Sequence, residues 1–391
     1  MNITIITPVF PYPYQGILPG VESYVKSLAL PLKKLGHNIK IVTTFWNGNK
    51  KYDKYKGIPI LRIKDTKALF GKIGSIFHFN YITFGLNAFR KKNFEFYKDS
   101  DIIFMPLTVG IPYISKRKKI PIITAFLHYE DKNKWIDYLT LSFYHLLERI
   151  QFKNFREILT ISHFSKNELV NKYGIKDKII EVIPVGVDTK KFNPSNKSNE
   201  LKHKYPGKIL LCVGPFLKRK RISLLIKAMS KVLKKFPEVH LILIGKGITW
   251  EYCKRLSKIF KIQNHTSFLG FIPQEDLLKF YASSDIFVFP SELEGFGQVL
   301  LESMASGTPV ICANKPPMSE IIGNAGITFE INNVEDLSEK ILKLLNNKDE
   351  LKTLGEKSID EVEKYDLLKI AKKFSDYAKK ILNLYKLNRL I

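Results

Sequence analysis

Short runs of β-branched and aliphatic residues alternate with longer amphipathic stretches along the whole chain. Ile3–Thr7 and Ile39–Thr44 flank Val21–Leu35, whose apolar positions recur at helical spacing, and Gly36-His37-Asn38 closes that stretch as a C-cap turn. Further strands are predicted at Ile58–Ile63, Asp101–Met105, Ile120–Leu127, Glu157–Ile161 and Ile179–Ile183. The pattern lapses between Asp188 and Pro206 into a polar, turn-rich run, and a second alternating series follows. Its strands are predicted at Ile209–Val213, Val239–Ile244, Ser267–Leu269, Ile286–Phe289, Pro309–Cys312 and Ile327–Phe329. Strands apolar along their whole length, separated by helices, imply parallel sheets covered on both faces.

The expected fold is therefore α/β, with two doubly wound Rossmann-like domains facing across a cleft. The boundaries read as 1–190 for the first domain, 191–206 for a linker and 207–365 for the second domain. The helical stretch 366–391 repeats apolar residues at Leu367, Ile370, Phe374, Tyr377, Ile381 and Leu384. In such open sheets ligands bind beyond the carboxyl ends of the strands, so the chemistry is expected in those loops.

Composition narrows the possibilities. The 391 residues are 45% hydrophobic and 26% charged, which excludes wholesale disorder. Three cysteines, Cys212, Cys253 and Cys312, make neither a disulfide framework nor the paired spacing of a zinc site, in keeping with a reducing, cytoplasmic setting. Met1-Asn2-Ile3-Thr4 has no basic n-region, prolines interrupt the apolar start, and no apolar run approaches the ~20 residues of a membrane span. Neither half carries G-x-G-x-x-G or a P-loop, which argues against a dinucleotide-dependent redox enzyme or a P-loop NTPase. Lys and Arg outnumber Asp and Glu by 63 to 37, a net charge of +26. Such an excess points to an anionic partner, nucleic acid, membrane or phosphate, or in part to a general lysine bias with single lysines solvated on helix faces.

The most informative segment runs from Pro290 to Pro309, Pro-Ser-Glu-Leu-Glu-Gly-Phe-Gly-Gln-Val-Leu-Leu-Glu-Ser-Met-Ala-Ser-Gly-Thr-Pro. A buried strand ends at Pro290, a Gly-punctuated loop holds Glu294, and a helix from about Gly297 carries Glu302. Free N–H groups at that helix start would dock an anion around Gly295, Phe296, Gly297 and Gln298. Glu302 lies at the eighth position after Glu294, two turns deeper, where a carboxylate suits the vicinal hydroxyls of a sugar or ribose. The plainer alternative is an anion favoured near a helix start and a second carboxylate on the surface.

This segment resembles the E-x7-E region of family 4 glycosyltransferases, retaining enzymes of the GT-B fold. Ile158-Leu-Thr-Ile-Ser-His-Phe-Ser-Lys-Asn-Glu-Leu, Val182-Ile-Pro-Val-Gly-Val-Asp-Thr-Lys-Lys-Phe, Leu241-Ile-Leu-Ile-Gly-Lys-Gly and Phe268-Leu-Gly-Phe-Ile-Pro also match that family in order and spacing. The resemblance covers nearly the whole chain and is densest from Glu157 to Ala325. It implies that the first domain binds the acceptor and the second the nucleotide-sugar, with the last helix packing back on the first domain.

Residue by residue, the resemblance gives Glu302 the nucleotide ribose, Glu294 the transferred sugar and Lys220 the diphosphate. Glu294, Lys220 and His128 become the catalytic candidates. Lys220 matches a family lysine that follows an arginine, but Pro215 stands at the arginine position. Lys218 and Arg219 are candidates for the missing charge, and spacing does not decide between them. Pro19-Gly20-Val21-Glu22 resembles the family's Gly-Gly-Val-Glu, so Gly20 is expected to offer backbone N–H groups to the donor. His128, at the end of the strand Ile120–Leu127, matches a family histidine beside the transferred sugar. Ser165-Lys-Asn-Glu168 reads as a capping box beside His163.

The expected activity is retaining transfer of a hexose or N-acetylhexosamine from a nucleotide-diphosphate sugar to a hydroxyl acceptor, lipid-linked or a growing glycan. No cofactor and no metal are expected, since lysines and a helix dipole would neutralise the leaving diphosphate. An epimerase or phosphorylase on the same fold would use similar donor residues. No groove-reading or RNA-binding signature supports nucleic acid as the partner. The stretch Lys67–Lys98 interleaves aromatics (Phe70, Phe77, Phe79, Tyr81, Phe84, Phe89, Phe94, Phe96, Tyr97) with Lys72, Arg90, Lys91 and Lys92, and Lys116-Arg-Lys-Lys119 lies nearby. That mixture suits peripheral contact with an anionic membrane, or else a buried core with solvated lysines.

Overall fold

Strands that are apolar on both sides must be covered twice, and the chain does this in two separate α/β units. The structure, a computed structural model, describes residues 1–8, 10, 20–45, 49–64, 79–106, 120–127, 152 and 155–387. One unit comprises Met1–Gly186 with Leu367–Ile391, and the other Val187–Asp366.

The first unit is built on β1 (Asn2–Ile6), β2 (Asn38–Thr44), β3 (Tyr52–Tyr55), β4 (Ile58–Ile63), β5 (Ile102–Met105), β6 (Ile122–Phe126), β7 (Ile158–Thr160) and β8 (Ile180–Val182). Their order across the sheet is β3-β4-β2-β1-β5-β6-β7-β8. All neighbours are parallel except β3 and β4, an antiparallel hairpin. Its turn residues Lys56 and Gly57 both have positive φ (46° and 75°), the primed geometry that matches strand twist. The helix Gly20–Lys34 ends at Gly36, whose φ of 83° gives the expected C-cap turn. His37, beyond it, is buried, with Nε2 2.8 Å from Ser375 Oγ.

Ser375 belongs to the helix Leu367–Leu387, which packs in the first unit. Ile370, Phe374 and Ile381 are buried, and Phe374 meets Phe104 edge-on at 5.0 Å. The stripe stops at Leu384, which is 46% exposed. The helix His163–Tyr173 is capped by Ser162 and not by Ser165. Ser162 is extended (φ −151°) and its Oγ accepts from Ser165 N at 3.1 Å, so the cap stands three residues earlier than the sequence suggested.

The aromatic-basic stretch divides. Phe84, Phe89 and Tyr97 lie in the first unit's core with Phe94 and Phe96 packed against it, so these aromatics do not form a membrane-facing surface. Burial removes Phe84, Phe89 and Tyr97 from any interface, while Phe94 and Phe96 are only partly buried and the cations Arg90, Lys91 and Lys92 are exposed. Phe70, Phe77, Lys72, Lys116-Arg-Lys-Lys119 and the side chains of Phe79 and Tyr81 lie outside the described residues.

The second unit carries β9 (Ile209–Val213), β10 (His240–Ile244), β11 (Thr266–Gly270), β12 (Ile286–Phe289), β13 (Val310–Ala313) and β14 (Gly326–Phe329). Their order is β11-β10-β9-β12-β13-β14, with every pairing parallel. The order reverses between β9 and β12, the topological switch point where loops from adjacent strands diverge. The polar run 191–206 is folded into this unit. It contains a turn at Pro194–Asn196 and a helix at Asn199–Lys204, Ser198 N donates to Ser283 Oγ (2.8 Å), and Lys202 pairs with Asp285 (3.0 Å).

Candidate active site

The switch point determines which residues meet. After β9 the chain passes through Gly214, makes a tight turn at Lys218–Lys220 and enters the helix Ile222–Val232. After β12 it passes Pro290 and the loop Ser291–Gly297 before the helix Gln298–Ala305. Because β9 and β12 are neighbours, the two loops lie side by side and are zipped together. Glu292 N donates to Arg219 O at 2.8 Å, and Arg219 Nη1 donates to Leu293 O at 2.6 Å. Arg221 Nε donates to Glu292 Oε2 at 2.6 Å. Arg221 adopts a left-handed conformation (φ 50°), one disfavoured for a non-glycine residue and held here by these ties.

Three donors converge on one carboxylate oxygen in this seam. Lys220 Nζ and Ser291 Oγ each stand 2.5 Å from Glu294 Oε1, and Arg219 Nη1 is 3.3 Å away. Lys220 and Glu294 are both buried, and the Lys220 ammonium also lies 4.8 Å from the Phe289 ring centroid. Burial pushes the Glu294 carboxyl up, but the charges of Lys220 and Arg219 and the two hydrogen bonds outweigh it and hold the group below the usual glutamate range. The site therefore contains a fixed carboxylate with two cations around it, a local excess of positive charge.

Arg219 has further capacity. Only its Nη1 is engaged among the described residues, so its remaining N–H groups are available to an anion. The Lys218 side chain is exposed and makes no hydrogen bond or ion pair among the described residues, its backbone carbonyl accepting from Arg221 N at 3.1 Å. Of the two basic residues that spacing left undecided, Arg219 is the one that joins Lys220 at Glu294. Pro215 lies apart from this seam, in a loop held to the β10 loop by Gly214 N to Ile244 O (2.9 Å) and Phe216 N to Lys246 O (3.0 Å). The two loops approach so closely that a Cβ on Gly245 would stand 2.0 Å from Gly214 O.

The helix start lies where the sequence put it. Gly297 has φ 109° and precedes Gln298, and Phe296 is buried against Tyr365 with ring centroids 6.1 Å apart. First-turn N–H groups without helical partners give that end a partial positive charge, next in the chain to Gly295 and Glu294. Glu302, on the second turn of that helix, is half-buried and not a freely solvated surface residue. Tyr281 Oη donates to its Oε2 at 2.8 Å. Burial outweighs that bond and the charge of Lys191, leaving the carboxyl raised to about 7. Glu294 thus stays ionised while Glu302 titrates near neutrality.

In the first unit Gly20 opens the helix Gly20–Lys34, exposed and, among the described residues, with nothing within 4 Å of where a Cβ would stand. Glu22, in the first turn, is buried, with Lys26 Nζ 2.6 Å from its Oε1. His128 lies outside the described residues, just past β6. Ser291, Tyr281 and the Arg221–Glu292 tie were not singled out by sequence. Ser291 stands inside the quoted motif with nothing to distinguish it, and Tyr281 reaches Glu302 from the preceding helix, Gln274–Ser283.

Comparison with known proteins supplies the context for this seam. A family model described as glycosyl transferases group 1 matches residues 194–361, and one described as glycosyltransferase family 4 matches residues 19–191. An uncharacterised glycosyltransferase of Methanocaldococcus jannaschii is 27% identical over 82% of this chain and 83% of its own. Alpha-monoglucosyldiacylglycerol synthase of Streptococcus pneumoniae is 28% identical over 83% of this chain and 75% of its own. Among solved structures, sucrose-phosphate synthase from Thermosynechococcus elongatus superposes with a TM-score of 0.80 at 18% identity, covering 98% of this chain and 100% of that one. The Anabaena HepE structure in complex with UDP and glucose gives 0.74 at 17% identity, covering 97% and 100%.

Proposed function

Because the chain belongs to the family 4, group 1 glycosyltransferases and has their GT-B fold, we propose that it is a retaining enzyme that transfers a hexose or N-acetylhexosamine from a nucleotide-diphosphate sugar to a hydroxyl acceptor. The observation that carries this reading is the convergence of Lys220, Arg219 and Ser291 on Glu294. A donor diphosphate entering the seam meets two cations already fixed in place and the N–H groups at the start of Gln298–Ala305. Charge that builds on the leaving diphosphate is stabilised without reorganisation, the effect that dominates most enzymatic barriers. The displaced share of Lys220's attraction leaves Glu294 free to accept hydrogen bonds from the sugar's hydroxyls. Glu302 takes the ribose, and no metal is required by this arrangement.

Arg219 is the residue assigned to replace the family arginine at Pro215. Gly20 presents backbone N–H groups to the donor, and His128 stands beside the transferred sugar on the strength of the sequence resemblance. A lipid-linked or glycan acceptor is supported by the relatives, which include alpha-monoglucosyldiacylglycerol synthase. No helix among the described residues is long and apolar enough to cross a membrane.

A thermal-shift panel of UDP-, GDP- and ADP-sugars, run on the wild type and on Glu294→Ala and Glu302→Ala, tests the reading. One donor class should raise the wild-type midpoint and lose its effect in both variants. No response to any donor, or an unchanged response in both variants, would refute it.

A further inference from the structure

Glu302 presents its two oxygens unequally. Oε2 is engaged by Tyr281 Oη at 2.8 Å, whereas Oε1 accepts no hydrogen bond among the described residues. Tyr281 is held firmly. Its fully buried ring packs against Phe192 (centroids 5.8 Å apart) and Phe287 (5.6 Å), and its backbone carbonyl accepts from Thr308 Oγ1 at 2.5 Å. The hydroxyl therefore cannot swing away without disturbing three neighbouring elements. It is also a fixed donor, since burial and then the facing Glu302 charge push the phenol well above its ordinary value.

We propose that Tyr281 is a positioning residue that locks Oε2 of Glu302 so that Oε1 is presented, as an anion, to the vicinal diol of the donor's ribose. This rests on the reading of Glu302 given above and adds the group that orients it and sets its charge. The groups facing the carboxyl are Tyr281, from the helix Gln274–Ser283, and Lys191, from the segment that opens the second unit. Both favour the ionised form, and burial opposes them. A neutral carboxylic acid exchanges an acceptor for a donor and grips a diol less well. The donor KM should therefore rise as pH falls through about 7, the point to which Glu302 is raised.

Tyr281→Phe removes the hydroxyl and keeps the ring. The midpoint of the donor KM profile should move to higher pH by about one unit, tenfold in the proton equilibrium, with kcat far less affected. Glu302→Gln should give a donor KM that is high and independent of pH across this range. Phe192→Leu loosens the same packing without touching the hydroxyl and should leave the midpoint in place. An unmoved midpoint in Tyr281→Phe, a uniform KM change at every pH, or the same shift in Phe192→Leu overturns the positioning role. If Glu302→Gln leaves both KM and its pH dependence as in the wild type, Glu302 does not hold the donor, and the reading beneath the proposal falls with it.

Discussion

Lys220 Nζ stands 2.5 Å from Glu294 Oε1 with both side chains buried, although 74 residues separate them in sequence. Removing one member of a buried, hydrogen-bonded pair leaves a desolvated charge and typically costs about 3–5 kcal/mol. Glu294→Gln should therefore lower the unfolding midpoint sharply, because it leaves both Lys220 and Arg219 without their counter-ion. Adding Lys220→Met to that variant should recover part of the loss. Urea or thermal unfolding of the two single variants and the double variant measures the coupling. Strictly additive losses would mean that the pair does not interact as the geometry implies.

The legibility of this arrangement from sequence has a physical pattern. The parallel strands were readable because burial on both faces demands runs such as Ile209–Val213, and β9 has those bounds. The hairpin strand Tyr52–Tyr55 was not, because an edge strand of Tyr-Asp-Lys-Tyr, exposed at Tyr52 and Lys54, has no hydrophobic run to mark it. The segment 290–309 announced a loop and a helix start at Gly297, but the contacts that complete it come from elsewhere. Which cation joined Lys220 depended on the turn that points Arg219 inward and leaves Lys218 exposed. Tyr281 was hidden as well, since it reaches Glu302 from the preceding helix, 21 residues earlier in the chain.

The stability of the protein should depend on pH through Glu302. Its unfolded carboxyl loses its proton near 4.5, while the folded one keeps it to about 7. Between those values the unfolded chain binds fewer protons, so stability falls as pH rises from 4.5 to 7, by at most about 3 kcal/mol from this group. Urea midpoints of the wild type and Glu302→Gln, compared at pH 4.5, 5.5 and 7, isolate that contribution. The wild type should lose stability relative to the variant across this interval, and a constant difference would exclude it.

Two glycines should behave oppositely. Gly245→Ala forces a Cβ to within 2.0 Å of Gly214 O at a φ of 126°, so it should destabilise by clearly more than the ~1 kcal/mol of an ordinary glycine misfit. Gly20→Ala meets nothing within 4 Å among the described residues and should leave the thermal midpoint within about a degree or raise it. The same variant should nevertheless weaken donor binding if the backbone at Gly20 approaches the donor. Unfolding scans and donor titrations on both variants check the two halves of this statement separately.

Arg219 and Lys218 are adjacent and alike in charge, yet only Arg219 reaches Glu294. Arg219→Met should lower the transfer rate about a hundredfold, the usual consequence of losing one preorganised donor to developing negative charge. Lys218→Met should change it less than about twofold, as expected of a solvated cation. Steady-state rates of the two variants at matched donor concentration decide this, and equal losses would contradict the assignment of Arg219.

The central claim is that the seam around Glu294 holds the diphosphate of a sugar nucleotide and promotes its departure. Slow release of nucleoside diphosphate from a panel of sugar nucleotides, followed without added acceptor, tests this most directly. The wild type should release diphosphate from at least one donor well above background, and Lys220→Met should lose that release about a hundredfold or more while remaining folded. Release from no donor, or undiminished release by folded Lys220→Met, would contradict the account.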